Sequence, residues 1–498
     1  MKPAFVSPHV ALHYDPNAWS YATDPPFHPQ LRYPEYDGPL SRQGAPNGAY
    51  DSVREMWHLL DLDTARYGCL DWNPLGDLIS PGQVVAIKPN LVMSRDPRGG
   101  SLGCVITHGS VIRAVVDYAC LALRGSGRIV IGDAPLQMAD FDEIRERNGL
   151  HEIADDARKR YGTEVEVVDF RKVRAITQRG QIRGVEERTG DPRGYVVADL
   201  GHASLLADLS GDSDRFRVTC YEADAVGQHH NANKNEFLVA GSILQADCVI
   251  SISKLKTHRK AGLTAALKNV VGINGHKDWL PHHRCGATEQ QGDEYLHSSA
   301  SKQASSFLAE RALLSRPDLH RALGVLSVAA GAAAKRLSRD PFTEGSWYGN
   351  DTLWRTVLDL NRILIYADRE GVLRADPQRR CLHLVDAILA GEGEGPLEPR
   401  PKVCGMMLGG FSAVAVDTVA AGMMGFDFRK VPIVSKAYHV GEFPLVDFSS
   451  EDVEVHSNQA EFDGLNPLAP EPVFHFQPAS GWRGHIERDE AEAFVVQH

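Results

Sequence analysis

Apolar residues recur with two periods along this chain, and the alternation between them predicts its architecture. Short apolar runs at Val84–Lys88, Arg128–Ile131 and Val165–Phe170 have the length and uniformity of strands buried on both faces. Between them, Ser110–Leu123 and Phe141–Tyr161 repeat their apolar residues at three and four positions, as helices covering a sheet do. Strand, helix, strand, helix, strand is the order of a mostly parallel sheet with crossover helices, so the expected fold class is α/β. Val249–Ile252 and Lys402–Leu408 read as further strands. Tyr50–Leu62, Leu323–Leu337, Asp351–Tyr366 and Phe411–Met424 read as helices, and Asn235–Leu244 as a helix leading back to the core.

These elements divide the chain into stretches of different character. Residues 1–50, dense in Pro, Tyr and Gly, read as an extended arm, and 51–170 as the first part of the α/β core. Residues 171–245 form a polar, β-containing insertion, 246–283 a return to the core with a Lys/His motif, and 284–350 a helical insertion. The second part of the core spans 351–440, and a Pro-rich tail occupies 441–498.

The chemistry collects where strands leave the sheet, which is where open α/β sheets bind ligands. The run from Val249 passes directly into Lys254, Lys256, Thr257 and His258. Thr264 and the pair Lys268-Asn269 follow on an expected Leu263–Val271 helix, and His282-His283 closes the stretch. Lys88 and Asn90 end the Val84 strand, Asp133 ends the next, and Asp386 precedes a glycine loop carrying Glu392 and Glu394. Each of these alone has a routine reading, a Pro-Asn turn or a helix N-cap. Two lysines on one face of a buried strand, with a histidine beyond, need compensating charge. The expectation is an anion pocket in which Lys88, Asn90, Lys254, Thr257, Thr264, Asn269, Glu392 and Glu394 bind substrate. His258 is expected as general acid/base, with Lys256, Lys268 and Asp133 acting beside it. A divalent metal could be held by Asp133, Asp386, His282 and His283.

Composition narrows the partners. A formal net charge of -12 over 498 residues argues against a general nucleic-acid binder and confines the cations to a local site. No apolar run reaches membrane-spanning length and no signal-peptide pattern opens the sequence, so the cytoplasm is the expected compartment. Eight scattered cysteines without a Cys-x-x-Cys exclude an iron–sulfur module. Neither a Gly-x-Gly-x-x-Gly after the first strand nor a Gly-Lys-Ser/Thr occurs, which disfavours Rossmann-type NAD and P-loop ATP sites. The aromatic arm and tail suit an interface, so a homo-oligomer is an expectation.

The ordered set KPN, GDAP, SKLKTH with GLTAALKNVVG, VDAILAGEGEGP and AVAVDTVAAGMMG resembles the uncharacterised DUF362 family over roughly residues 84–440. That resemblance implies an α/β fold. Its relatives with an appended ferredoxin segment do not extend their redox chemistry to a chain lacking those cysteines. Members found among surface-polysaccharide and secondary-metabolite genes imply a phosphorylated or sugar-acid substrate. His258, Gly262, Lys268 and His282 or His283 are also spaced similarly to a segment of the lactate racemase family, whose lysine carries a nickel cofactor. Here Thr-Ala-Ala-Leu-Lys replaces that family's Ser-Gly-Gly-Arg-Lys. The expected function is therefore an enzyme acting on a small phosphate- or carboxylate-bearing substrate by group transfer, hydrolysis or epimerisation. A metal-dependent isomerase and a non-catalytic ligand-binding or scaffold protein are the alternatives.

Overall fold

A computed structural model describes residues 7–41, 47–178, 181–218, 223–313, 342–469 and 474–488, with 323, 326, 329 and 330 besides. Its centre is a nine-stranded sheet. Five parallel strands run in the order Arg380–Glu394, Cys248–His258, Val84–Pro89, Arg128–Asp133 and Glu164–Asp169. Beyond Arg380–Glu394 the sheet continues through antiparallel Glu398–Gly410 to His9–Tyr14 and Glu454–Ser457. Gly262–Thr264 folds back onto the end of the Cys248 strand. The parallel strands are continuous apolar runs because helices and irregular chain cover both faces. On the Cys248 strand, Ile250 and Ile252 pack into the cluster under the Gly48–Leu59 and Gly109–Leu123 helices. Val249 and Leu255 enter the opposite cluster with the Leu353–Tyr366 and Ala413–Met423 helices. The structure is an α/β protein with a large, mostly parallel sheet. Among the described residues no helix is long and apolar enough to cross a membrane.

Several elements differ from expectation, each for a local reason. The arm is not merely a cover, because His9–Tyr14 enters the sheet and is paired on both sides. The tail likewise contributes Glu454–Ser457. Most of Asn235–Leu244 is a strand, Lys234–Ala240, paired with Tyr195–Asp199, and only Gly241–Leu244 makes a helical turn. Its Phe-Leu-Val-Ala run carries β-branched and aromatic residues on a half-buried surface, which favours pairing. The expected Leu263–Val271 helix shrinks to Ala266–Asn269 and a 3-10 turn at Val270–Ile273. Gly262, at φ +81, reverses the chain before it can wind, a conformation that glycine adopts without steric cost. Gly391–Glu394 is not a loop but the end of a strand, hairpinned to Glu398–Gly410. Within 171–245, Val173–Gln178 pairs antiparallel with Gln181–Glu187, and Ala300–Leu313 is a helix. Leu323–Leu337 lies largely outside the described residues.

The placement of the site follows from strand lengths. Ile252 is the last residue of the Cys248 strand paired with Val84–Pro89, opposite Pro89. Ser253–His258 therefore runs on beyond the carboxyl ends of Val84–Pro89 and Arg128–Asp133. A cavity of about 270 Å³ opens over those ends.

Candidate active site

The floor of the cavity is a hydrogen-bonded chain linking three strand ends. Lys88 Nζ lies 2.7 Å from Asp133 Oδ1 and donates to Asn269 Oδ1 at 2.8 Å. Asn90 Nδ2 donates to the same Asn269 oxygen at 3.3 Å, while Asn90 Oδ1 accepts from Lys256 Nζ at 2.6 Å. Asn269 Nδ2 completes the set by donating to Lys88 O and to Ser251 Oγ. Asp133 also accepts from the Leu91 and Ala134 amides at 2.6 and 2.9 Å. With both oxygens engaged by a lysine and two backbone donors, Asp133 holds the floor together and is not placed as a free general base. The chain passes close above it, and only glycine fits there: a Cβ on Gly272 would lie 1.8 Å from Asp133 Oδ1 and 2.7 Å from Lys88 Nζ.

The lysines fall into two groups. Lys88 and Lys254 are neutralised by carboxylates within the protein. Lys254 Nζ is 2.6 Å from Asp386 Oδ2 and 2.7 Å from Tyr21 Oη, and Tyr21 donates to the other Asp386 oxygen at 2.5 Å. This cluster is fully buried and lies outside the cavity. Lys254 therefore ties Tyr21 of the arm to the sheet, and Asp386 is its counter-ion. Lys256 has no carboxylate partner. It donates to Asn90 and to Val105 O, and burial, with Lys254 adding repulsion, holds its pKa well below the usual lysine range. Lys268 stands on the Ala266–Asn269 turn and, among the described residues, has no hydrogen bond or ion pair. Burial lowers its pKa to about 7, helped by Lys277, Lys260 and Lys88. Lys277, which the sequence reading passed over, donates to Ala134 O at 3.2 Å and is pushed down to about 8, chiefly by burial.

The two cavity histidines are complementary. His258 Nδ1 accepts from the Lys260 and Ala261 amides, both at 3.1 Å, which assigns its proton to Nε2. Burial, Lys268 and Lys256 hold its pKa well below the usual value. His258 is thus a neutral imidazole with its N–H on Nε2. His282 has the other tautomer: Nδ1 donates to Leu280 O at 2.7 Å and leaves a lone pair on Nε2. Burial and Lys260 likewise keep it neutral. Thr264 lies directly across the antiparallel register from Lys256, so both project to one side. Its hydroxyl is buried and has no partner.

The remaining expected residues lie elsewhere. Thr257 Oγ1 donates to Gly393 O at 2.8 Å. Glu392 and Glu394 accept from the Gln477 and Ser480 amides at 3.0 and 2.8 Å, so they pin the tail to the hairpin, outside the cavity lining. His283 sits in a two-residue strand opposite Arg217, outside the cavity lining. The expected metal set of Asp133, Asp386, His282 and His283 does not converge. Two of its members are committed to lysines, and a lysine-lined cavity repels a cation. Among the described residues, the one His/carboxylate group close enough to share an ion is His9, Glu454 and His456 at the exposed sheet edge. Neither set gathers ligands inside the cavity.

Residues 85–184 and 157–422 match the family described as Domain of unknown function (DUF362). The chain belongs to the DUF362 family. No curated protein matches it. A solved structure of a Thermotoga maritima protein is 11% identical, with a TM-score of 0.31, over 72% of this chain and 55% of that one. At that score the likeness says nothing about chemistry. Within this DUF362 chain the matched residues include every cavity lysine and histidine described above. Tyr21 and the Gln477–Trp482 tail, which brace the site from outside, lie beyond them.

One further missed residue supports the site. Asp417, on the Ala413–Met423 helix, accepts from the Ala266 and Leu267 amides at 2.6 and 3.1 Å, and burial raises its pKa to about 8. The sequence signal was an Asp in an otherwise apolar helix, a residue type rarely buried without a partner.

Proposed function

We propose that this protein is an enzyme acting on a small phosphate- or carboxylate-bearing molecule held in the cavity over the strand ends. The observation that carries the reading is the buried Thr264 hydroxyl, left without a partner beside Lys256 in a lining where five lysines face two carboxylates. Buried polar groups are nearly always satisfied, so an orphaned donor in a cationic cavity argues for a ligand oxygen as its partner. The neutral N–H of His258 suits an oxygen that gains negative charge during reaction. Val92, Leu136 and Val271 line the wall and give the ligand an apolar body to match its anionic head.

The test is calorimetric titration with inorganic phosphate and, separately, with acetate, on wild type and on Thr264→Val and Lys277→Met. Losing a hydrogen bond to a charged group costs about 1.5–3 kcal/mol, or roughly 10- to 100-fold in Kd. The expected result is binding of one anion that weakens by that amount in both variants, with folding intact by circular dichroism. Binding of neither anion, or equal binding by the variants, overturns the reading.

A further inference from the structure

Lys268 differs from every other lysine of the site in having no bonded partner among the described residues. The turn that carries it is fixed at each neighbouring residue. Asp417 accepts from the Ala266 and Leu267 amides, Asn361 Nδ2 donates to Leu267 O at 3.0 Å, and Asn269 is held by Lys88, Asn90 and Ser251. Two buried side chains from separate helices, Asp417 and Asn361, and the turn's own Asn269 thus position one helical turn whose lysine enters the cavity. A fixed backbone under a free, partly exposed amine is how a reactive group is presented, since preorganisation lowers the cost of reaching reactive geometry.

We propose that the Lys268 amine is a nucleophile that condenses with the carbonyl group of the anionic substrate, a 2-oxo acid or a phosphorylated aldehyde, to form a Schiff base. This rests on the anion-pocket reading and names the substrate class. The nitrogen lone pair bonds the carbonyl carbon, and the carbonyl oxygen takes a proton to give a carbinolamine. That oxygen then leaves as water carrying both amine hydrogens, and the C=N bond remains. No oxidant, reductant or further reactant enters. His258 Nε2–H is a donor for the carbonyl oxygen as charge develops on it, and the lone pair on His282 Nε2 can carry a proton between nitrogen and oxygen. Lys277 and Thr264 remain for the anionic group. Burial first, and then neighbouring cations, favour the neutral, nucleophilic amine, as they do in other Schiff-base lysines. Relative to a solvent-exposed lysine, the neutral fraction near pH 7 is larger by about a thousandfold.

Borohydride trapping tests this on the full chain, with glyoxylate, pyruvate and glyceraldehyde 3-phosphate as probes and intact-mass and peptide analysis as readout. The expected result is one reduced adduct per chain at Lys268 with at least one probe, absent from Lys268→Arg, with labelling that rises through a midpoint near neutral pH. No adduct at Lys268 with any probe, or adducts spread over surface lysines equally in both proteins, overturns the proposal. Titrating Lys268→Arg with inorganic phosphate separates the two readings. Retained phosphate binding without wild-type trapping leaves the anion pocket standing and removes the nucleophile. Trapping at Lys268 in a protein that binds no anion removes the pocket and leaves the nucleophile.

Discussion

Replacing Lys268 by methionine should remove part of the rise in stability that this protein gains as pH increases above neutral. In the folded chain, burial and the charges of Lys277, Lys260 and Lys88 bring the Lys268 pKa down to about 7. In the unfolded chain a lysine titrates near about 10.4. Between those values the unfolded state holds a proton that the folded state has released, so stability rises with pH across the window and falls as pH drops toward 7. A gap of about three units at about 1.4 kcal/mol each makes about 4 kcal/mol in all, of which about 2 kcal/mol is regained between pH 7 and 9. Methionine keeps an unbranched, flexible side chain in the space and carries no proton. Urea unfolding of wild type and Lys268→Met at pH 7, 8 and 9 measures the difference, with equal m-values confirming that the same transition is compared. The variant should be the more stable protein at pH 7, and its advantage should shrink by about 2 kcal/mol by pH 9. Parallel stability curves across that range would refute the claim that the Lys268 ammonium is held at a cost in the folded state.

Two further predictions concern groups that the structure neutralises internally. Asp386→Asn removes the charge facing Lys254, both side chains being fully buried at 2.6 Å, and should cost about 3–5 kcal/mol. The double change Lys254→Met with Asp386→Leu should cost less than Asp386→Asn alone in the same unfolding assay; a double that costs the sum of the singles would mean that the pair is not coupled. Gly272→Ala places a methyl 1.8 Å from Asp133 Oδ1, so it must displace the Lys88–Asp133 pair or the 270–273 turn. It should lower stability by about 1–3 kcal/mol and weaken phosphate binding together, and unchanged thermal unfolding would show that the loop yields freely.

How much of this was legible in the sequence depended on the distance over which each residue is satisfied. The parallel strands announced themselves because burial on both faces leaves an apolar run, and the position of the cations followed because strands deliver their next residues to one sheet edge. The strand at His9–Tyr14 is as long as Val84–Pro89 but was hidden by the proline-rich chain after it. What could not be read was which lysines already had partners. Lys254 meets Asp386 across 132 positions of sequence, and Tyr21 reaches that same carboxylate across 365. No local pattern connects them. Counting cations at the strand ends therefore overstated the need for an anion by two lysines, Lys88 and Lys254. Subtracting these strengthens the case for the rest. A chain that supplies Asp133 and Asp386 where charge must be cancelled, and Asn90, Asn269 and Asp417 where backbone and side chains must be held, has satisfied its buried polar groups at the floor of the cavity. It leaves the Thr264 hydroxyl and the Lys268 amine unsatisfied just above. In a network where partial satisfaction is costly, such gaps persist where a ligand completes them.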